Sequence, residues 1–432
     1  MRILSKELHS NIGKNVTISG WLHKKRLLGG LNFLNIRDRS GLSQVLVEDT
    51  DEIEKLRGLQ IGTVLTISGN VVKDERAPGG AEIHQPKITI NVPVTEEPAI
   101  EVDKTIDHKN LDTLFEHRVL NLRNLQEQKI FKIRGDITQY FREYLRKNEF
   151  QEVDTPKLLG AATEGGAEVF ELDYFGKNAT LAQSPQFYKQ ILVGAFERVF
   201  EIGHAYRAEP SATTRHLTES TMLDVEFMAE NHDEVLGLIG NMVSSVLKKI
   251  YETHADNLKS LQSPELKLSD QIPRFTVNEI HEMYMKKTGI DLKDEKDLVP
   301  DEEKFISEHA RKNLGSDLVY ATDFPIEAAK FYHKVDAEKG VVAWADLIYR
   351  GVEIATCPMR ENNYEKMIDQ MKEAGLNVEA DGYKYYLQAF KYGLPSHGGC
   401  GLGIDRVVMK TIGLANVKEA TLFPRDLNRL MP

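Results

Sequence analysis

The chain has 432 residues, 41% hydrophobic and 28% charged, with a formal net charge of −11. Such a length calls for two or three domains, and such a composition is globular rather than disordered. The acidic balance argues against a nucleic-acid coat while allowing a local basic surface, and no apolar run reaches the length of a membrane span.

The opening MRILSKELHSNIGKN has no apolar stretch of the kind a secretory leader carries. Cys357 and Cys400 are the two cysteines, and neither belongs to a CxxC pair. A reducing, cytosolic setting fits, and a disulfide or structural zinc framework does not.

Residues 15–95 predict a run of short strands: NVTISGWL, LNFLNIRD, LSQVLVED, TVLTISGNVV and KITINVPV, separated by Gly, Asp and Ser. One helical stretch, DEIEKLRG, interrupts them. Five strands and one helix at this spacing suggest a small closed barrel such as the OB-fold. We assign residues 1–100 to this barrel domain. The polar stretch at 101–123 reads as a linker or hinge, and 124–432 as a second, larger domain.

The larger domain opens with an amphipathic helix over 124–148, with Ile130, Ile133, Ile137, Tyr140, Phe141 and Tyr144 at helical spacing. FQEVDTPKLL then reads as a strand stopped at Pro156. After it come strand-like segments with few crossover helices, including ERVFEIGHAYRAE, TMLDVEFMAEN and GVEIATCPMR. That order predicts an α+β domain built on a mostly antiparallel sheet. Helices are expected at 231–254 and 296–313, within a helical insertion at about 231–315.

Neither a GxxxxGK[ST] loop nor a complete GxGxxG occurs, so a bound nucleotide would not sit in a P-loop or a Rossmann turn. Four other stretches carry chemistry. In YRAEPSATTRH, Arg207 and Arg215 bracket Glu209, with His216 behind them. Arginine forks onto phosphate, and a carboxylate between two arginines can accept from an exocyclic amine. Two residues apart on an extended segment, Arg207 and Glu209 would share a face. Read alone, the stretch is equally an exposed hairpin of Arg–Glu pairs. In SHGGCGLGIDR, four glycines precede Arg406 at a predicted helix start. This is either close approach by a flat ligand or a tight strand–helix joint. In TEGGAEVF…AQSPQFYKQ, Glu164, Gln186 and Lys189 combine acid, amide and ammonium, as a zwitterion would need, although taken alone the stretch reads first as a solvated loop. In WADLIYRGVEIATCPMR, Asp346 and Glu353 stand seven apart around Gly351 and are either candidate Mg²⁺ ligands or two ordinary strand-end acids, with Arg360 at the end.

In this order the stretches resemble the three motifs of the class II aminoacyl-tRNA synthetases: FQEVDTPKL the first, YRAE…TTRHLTE…LDVE the second, GLGIDR the third. Within the class the chain is similar to the compact, archaeal-type aspartyl enzymes, over nearly its whole length. The resemblance implies ATP-dependent ligation of L-aspartate to tRNA(Asp), with tRNA(Asn) as an extension, through an aspartyl-adenylate. It implies Arg207 on the α-phosphate, Glu209 on the adenine amine, and Arg215, His216 and Arg406 on the outer phosphates, with Arg207 and Arg406 catalytic. Glu353 would serve both ATP and Mg²⁺, beside Asp346 and the Thr356 hydroxyl. Glu164 and Gln186 would hold the substrate ammonium. Lys189 and Arg360 would meet its side-chain carboxylate, two cations that an uncharged asparagine would leave uncompensated. In the barrel, Phe33 would stack on an anticodon base, a role favoured over simple barrel core by its company of Arg26 and Gln44, which would touch base edges, and Lys24 and Lys25 would meet phosphates. A homodimer in the cytoplasm is expected.

The chain departs from the family where Ser220 replaces a ring that stacks on adenine, at Pro210–Ala212, and at Cys357-Pro358 beside the metal and carboxylate positions. These departures keep open an alternative. A specialised relative would bind tRNA, or would activate aspartate for chemistry other than tRNA charging.

Overall fold

The computed structural model describes residues 2–27, 31–104, 110–160, 168–210 and 213–432. The chain divides into two compact units, Met1–Gln128 and Lys129–Pro432.

In the first unit five strands close a barrel: β1 (Asn15–Leu27), β2 (Asn32–Asp38), β3 (Gly41–Val47), β4 (Val64–Lys73) and β5 (Ala81–Val92), in the order β1-β2-β3-β5-β4. Alternation drives the closure. Val16, Ile18 and Leu22 of β1 turn inward with Leu34, Ile36, Val45, Leu65, Ile67 and Ile83. The contact between β3 and β5 is parallel and the other barrel contacts are antiparallel. Helix α1 (Thr50–Arg57) bridges β3 and β4, and Asp49 caps its first turn by accepting from the Asp51 and Glu52 amides. Strand β5 begins six residues before KITINVPV. Gln85 has φ of 48° and the pairing slips between Ser68 and Asn70, an irregularity around Pro86 that conceals the alternation.

In the second unit eight strands form one sheet. They are β6 (Gln151–Glu152), β7 (Arg198–Tyr206), β8 (Glu219–Met228), β9 (Arg274–Thr276), β10 (Leu318–Thr322), β11 (Trp344–Tyr349), β12 (Val352–Pro358) and β13 (His397–Gly403). Their order is β9-β10-β11-β12-β13-β8-β7-β6. The two outermost contacts, β9 with β10 and β6 with β7, are parallel and those between are antiparallel. Helix α2 (Leu125–Lys147) lays Ile130, Ile133, Ile137 and Phe141 into the main core of this unit, each at most 1% exposed. Its apolar stripe is thus internal packing. The expected helices appear as α4 (His232–Thr253) and α5 (Pro300–Asn313), and α3 (Gln186–Phe196) follows AQSP. The expected helical insertion also contributes β9, an edge strand of the sheet. Of FQEVDTPKLL, Gln151–Glu152 pairs with the large sheet and the Val153 amide donates to the Phe200 carbonyl at 2.9 Å, while Leu158–Leu159, beyond Pro156, pairs in a separate small sheet.

Candidate active site

Strands β7 and β8 pair from Arg198↔Phe227 to Tyr206↔Glu219, so the hairpin read from YRAEPSATTRH is present. Arg207 and Glu209 lie past the end of β7 in irregular backbone, so strand alternation does not place them on one face. They nevertheless line the same cavity, of ≈ 340 Å³. Arg215, His216, Arg406, Gln186, Lys189, Arg360, Asp346, Glu353 and Thr356 line it too. Glu164, Ser211 and Ala212 lie outside the described residues.

Strands β11 and β12 make a hairpin through Arg350 and Gly351, with φ of 49° and 78°, the double left-handed turn a two-residue hairpin demands. Asp346 pairs in register with Thr356, and Ile348 with Glu353. Thr356 Oγ1 donates to Glu353 Oε1 at 2.9 Å, and Trp344 Nε1 donates to Asp346 Oδ1 at 2.7 Å. Trp344 is itself stacked on Phe324, with centroids 4.1 Å apart. Burial, then the neighbouring Glu353 charge, pushes Asp346 well above the usual carboxylate range. Burial would raise Glu353 as well, but Arg406 and the Thr356 hydroxyl outweigh it and hold Glu353 low. Hard oxygen donors, with the Asp346 carboxylate made costly by its Glu353 neighbour, fit a divalent cation such as Mg²⁺.

The arginines are held by acids. Arg406 Nη1 donates to the Glu353 carbonyl at 2.9 Å and to Glu353 Oε2 at 3.0 Å. Arg215 Nη1 donates to both carboxylate oxygens of Glu303, on α5, at 2.9 Å. His216 Nδ1 lies 2.7 Å from Thr213 Oγ1. Burial, then Arg406 and Arg215, lower the His216 pKa to about 4, so the ring is neutral at pH 7.

A buried four-charge cluster forms another part of the wall. Lys189 Nζ donates to Asp224 Oδ1 at 2.9 Å and to the Cys400 carbonyl at 3.2 Å, and stands 3.3 Å from Glu226 Oε2. Arg360 grips Glu226 through Nε at 2.9 Å and Nη2 at 3.2 Å. Two cations therefore face two carboxylates before any substrate arrives, which corrects the expectation that an uncharged asparagine side chain would leave Lys189 and Arg360 uncompensated. Lys189 thus spends two hydrogen bonds and an ion-pair contact on the protein itself. Arg360 Nη1 has no hydrogen-bond partner among the described residues.

Sequence reading did not single out Asp224, Glu226 or Glu303. LDVE carried a signal for the first two: acids at i and i+2 of a strand whose alternate residues Leu223, Val225 and Phe227 are core. Glu303 carried none, since its role depends on a contact 88 residues away. The glycine run divides in purpose. A Cβ on Gly399 would come within 1.9 Å of the Val225 carbonyl, so that glycine serves strand packing, while Gly401 and Gly403 line the cavity. Ser220 also lines the cavity. Cys357 is fully buried in the core.

On the barrel, Phe33 is half-buried on the outer face between the inward residues Asn32 and Leu34, and it lies outside the barrel core. It stands opposite Arg26 in the β1–β2 register, and Asn35 stands opposite Gln44. Gln44 Nε2 donates to Glu82 Oε2 at 2.8 Å. Lys25 is not a free phosphate ligand. Its ammonium donates to the carbonyls of Leu56, Arg57 and Leu59 at 3.0, 3.0 and 2.7 Å, closing the C-terminus of α1.

Comparison with known proteins gives two family matches. Residues 110–427 match the model described as tRNA synthetases class II (D, K and N), and residues 16–91 match an OB-fold nucleic acid binding domain. The chain is 36% identical to the aspartate–tRNA(Asp/Asn) ligase of Thermus thermophilus over 100% of both chains. It is also 36% identical to the aspartate–tRNA(Asp) ligase of Pyrococcus horikoshii over 97% of each. Among solved structures it is similar to the asparaginyl-tRNA synthetase of Pyrococcus horikoshii complexed with asparaginyl-adenylate. That match has a TM-score of 0.93 at 30% identity and covers 100% of both chains.

Proposed function

We propose that this chain, which belongs to the class II tRNA synthetases of the aspartate, lysine and asparagine group, is an aspartate–tRNA ligase that forms aspartyl-adenylate from ATP and passes the aspartyl group to the 3′ end of tRNA. The observation that carries this reading is one cavity that collects Arg207, Arg215 and Arg406 together with the buried pair Lys189 and Arg360. Three arginines suit a triphosphate, and the Arg360 Nη1 donor, which has no partner among the described residues, suits an amino acid with a carboxylate side chain.

In the proposed reaction the α-carboxylate of aspartate bonds to the α-phosphorus and the bond to pyrophosphate breaks. Arg207 stabilises charge on the α-phosphate, and Arg215 and Arg406 hold the leaving group. Asp346, Glu353 and Thr356 would hold Mg²⁺, whose charge, when bound, offsets that of the phosphate oxygens. A terminal ribose hydroxyl of tRNA then takes the aspartyl group and AMP leaves. No protein nucleophile is required.

Preference for aspartate over asparagine rests on hydrogen-bond polarity rather than on net charge. Arg360 Nη1 can only donate, so it accepts a carboxylate in either orientation of that group but an asparagine amide only through its carbonyl end. The barrel face of Arg26, Phe33 and Gln44 would read the anticodon. A homodimer is part of the proposal. Leu158, Tyr174 and Phe175 are exposed apolar side chains that a second copy would cover, at 50%, 46% and 91% exposure. Among the described residues no helix is long and apolar enough to cross a membrane, and the two unpaired cysteines suit the proposed cytoplasmic location.

Aminoacylation of tRNA(Asp) and tRNA(Asn) transcripts with labelled aspartate, alongside ATP–pyrophosphate exchange, tests the reading. Charging of both transcripts would establish the wider substrate range, and charging of tRNA(Asp) alone the narrower. Exchange without charging would favour aspartate activation for other chemistry, and absence of both would overturn the catalytic reading.

A further inference from the structure

Behind the cavity wall lies a row of polar side chains that the proposed chemistry does not use. Gln190 and His397 are each 0% exposed, and Tyr386 is 1% exposed. Helix α3 places Gln190 one turn beyond Gln186, on the same face. Gln186 Nε2 donates to Gln190 Oε1 at 2.8 Å, and the Tyr386 hydroxyl donates to the same oxygen at 3.0 Å. Gln190 Nε2 lies 2.9 Å from His397 Nε2, and His397 Nδ1 lies 2.7 Å from the Pro395 carbonyl.

The directions of these bonds follow from one fixed end. A carbonyl can only accept, so His397 Nδ1 carries the proton. Burial, against the pull of Glu226, keeps the ring neutral, and this leaves Nε2 as an acceptor. Gln190 must then turn its NH₂ toward His397 and its oxygen toward Gln186 and Tyr386. An oxygen can only accept, and of the two ends of the Gln186 amide only the NH₂ donates, so that NH₂ is committed inward. The Gln186 carbonyl oxygen is the amide atom left for the cavity. Tyr386 is itself held by the Phe187 ring, stacked at 4.4 Å.

We propose that Gln190, His397 and Tyr386 are positioning residues that fix the polarity of the Gln186 amide, so that its oxygen faces the substrate and accepts from the ammonium of the amino acid. The inference rests on the aspartate assignment above. A free glutamine amide can rotate to offer either end, and the offered NH₂ would repel an ammonium. A relay anchored on the Pro395 carbonyl removes that second state. It therefore discriminates between ligands with and without an α-amino group.

Calorimetric titration of the intact protein with L-aspartate and with succinate tests this, because succinate keeps both carboxylates and lacks the ammonium. In Gln190→Met, aspartate affinity is expected to fall about tenfold while succinate affinity stays within about twofold. Pyrophosphate exchange should show the same loss as a raised KM for aspartate with little change in kcat, since the ammonium is bound alike in ground and transition states. Tyr386→Phe removes one hydroxyl and keeps the ring. Its expected aspartate-selective loss of about threefold decides the matter if Gln190→Met does not fold. Equal losses for both ligands, or none for aspartate, would overturn the relay. Wild-type protein that binds no aspartate would overturn the substrate assignment and the relay with it.

Discussion

Arg215 and Glu303 stand 88 positions apart in the chain and meet through a guanidinium nitrogen 2.9 Å from both carboxylate oxygens. Glu303 also accepts from the Glu353 amide at 3.0 Å, so one carboxylate steadies both a proposed phosphate clamp and a proposed metal ligand. The two functions of Arg215 can be separated. Arg215→Ala should weaken ATP binding and also lower stability by about 1–3 kcal/mol, because it strands a buried carboxylate. Adding Glu303→Gln should recover much of the stability and none of the ATP affinity. Thermal denaturation beside ATP titration checks this, and parallel recovery of both would refute it.

His216 should couple nucleotide binding to protons. Its folded-state pKa of about 4 lies below the ordinary value of 6.5. Between those values the unfolded chain binds more protons than the folded one, so stability falls as pH drops from about 6.5 toward 4. His216→Asn should flatten that part of the stability profile. A bound triphosphate would offset Arg406 and Arg215 and raise the pKa of the ring. ATP binding near pH 5.5 should therefore take up protons, seen as a buffer-dependent binding enthalpy that the variant lacks.

Arg360→Lys is not a conservative change here. A lysine cannot reproduce the two-point grip on Glu226 while offering Nη1 to a ligand. We expect a KM for aspartate raised about 10- to 100-fold in pyrophosphate exchange, as loss of a charge-assisted hydrogen bond implies. The KM for ATP should be nearly unchanged. An equal effect on both substrates would place Arg360 in the scaffold rather than at the side-chain carboxylate.

On the barrel, two neighbouring positions should behave oppositely. Phe33→Ala should weaken tRNA binding by about 1–3 kcal/mol, the worth of one base stacked on an aromatic ring, and leave pyrophosphate exchange intact. Lys25→Met should lower barrel stability by roughly 1 kcal/mol through loss of the α1 cap, without altering the salt dependence of tRNA binding. Filter binding across a salt series distinguishes the two.

These residues also mark how far the sequence could be read. Local periodicity located the barrel strands and helices α1, α2 and α4, because apolar spacing along one element reports which face is inside. The candidate site was legible where short polar motifs lie within one loop or hairpin, as with Arg207 and Arg215 or Asp346 and Glu353. What escaped depends on pairing across the sheet or between distant elements. Lys189 looked like an open cation until β8 set Asp224 and Glu226 against it. Lys25 looked like a phosphate ligand until α1 ended beside it. Phe33 was ambiguous between core and surface, because an aromatic on a barrel strand satisfies either, and only the inward placement of Asn32 and Leu34 puts it on the outer face.

Gly399 has a wider consequence. With no room for even a methyl group against the Val225 carbonyl, it sets the spacing between the strand that carries Asp224 and Glu226 and the strand that carries Gly401 and Gly403. A residue outside the cavity lining thus governs how closely two strands that contribute to that lining can pair. In a saturation screen for growth, position 399 should tolerate as little change as the arginines, and it would be scored as an active-site residue though it touches no ligand.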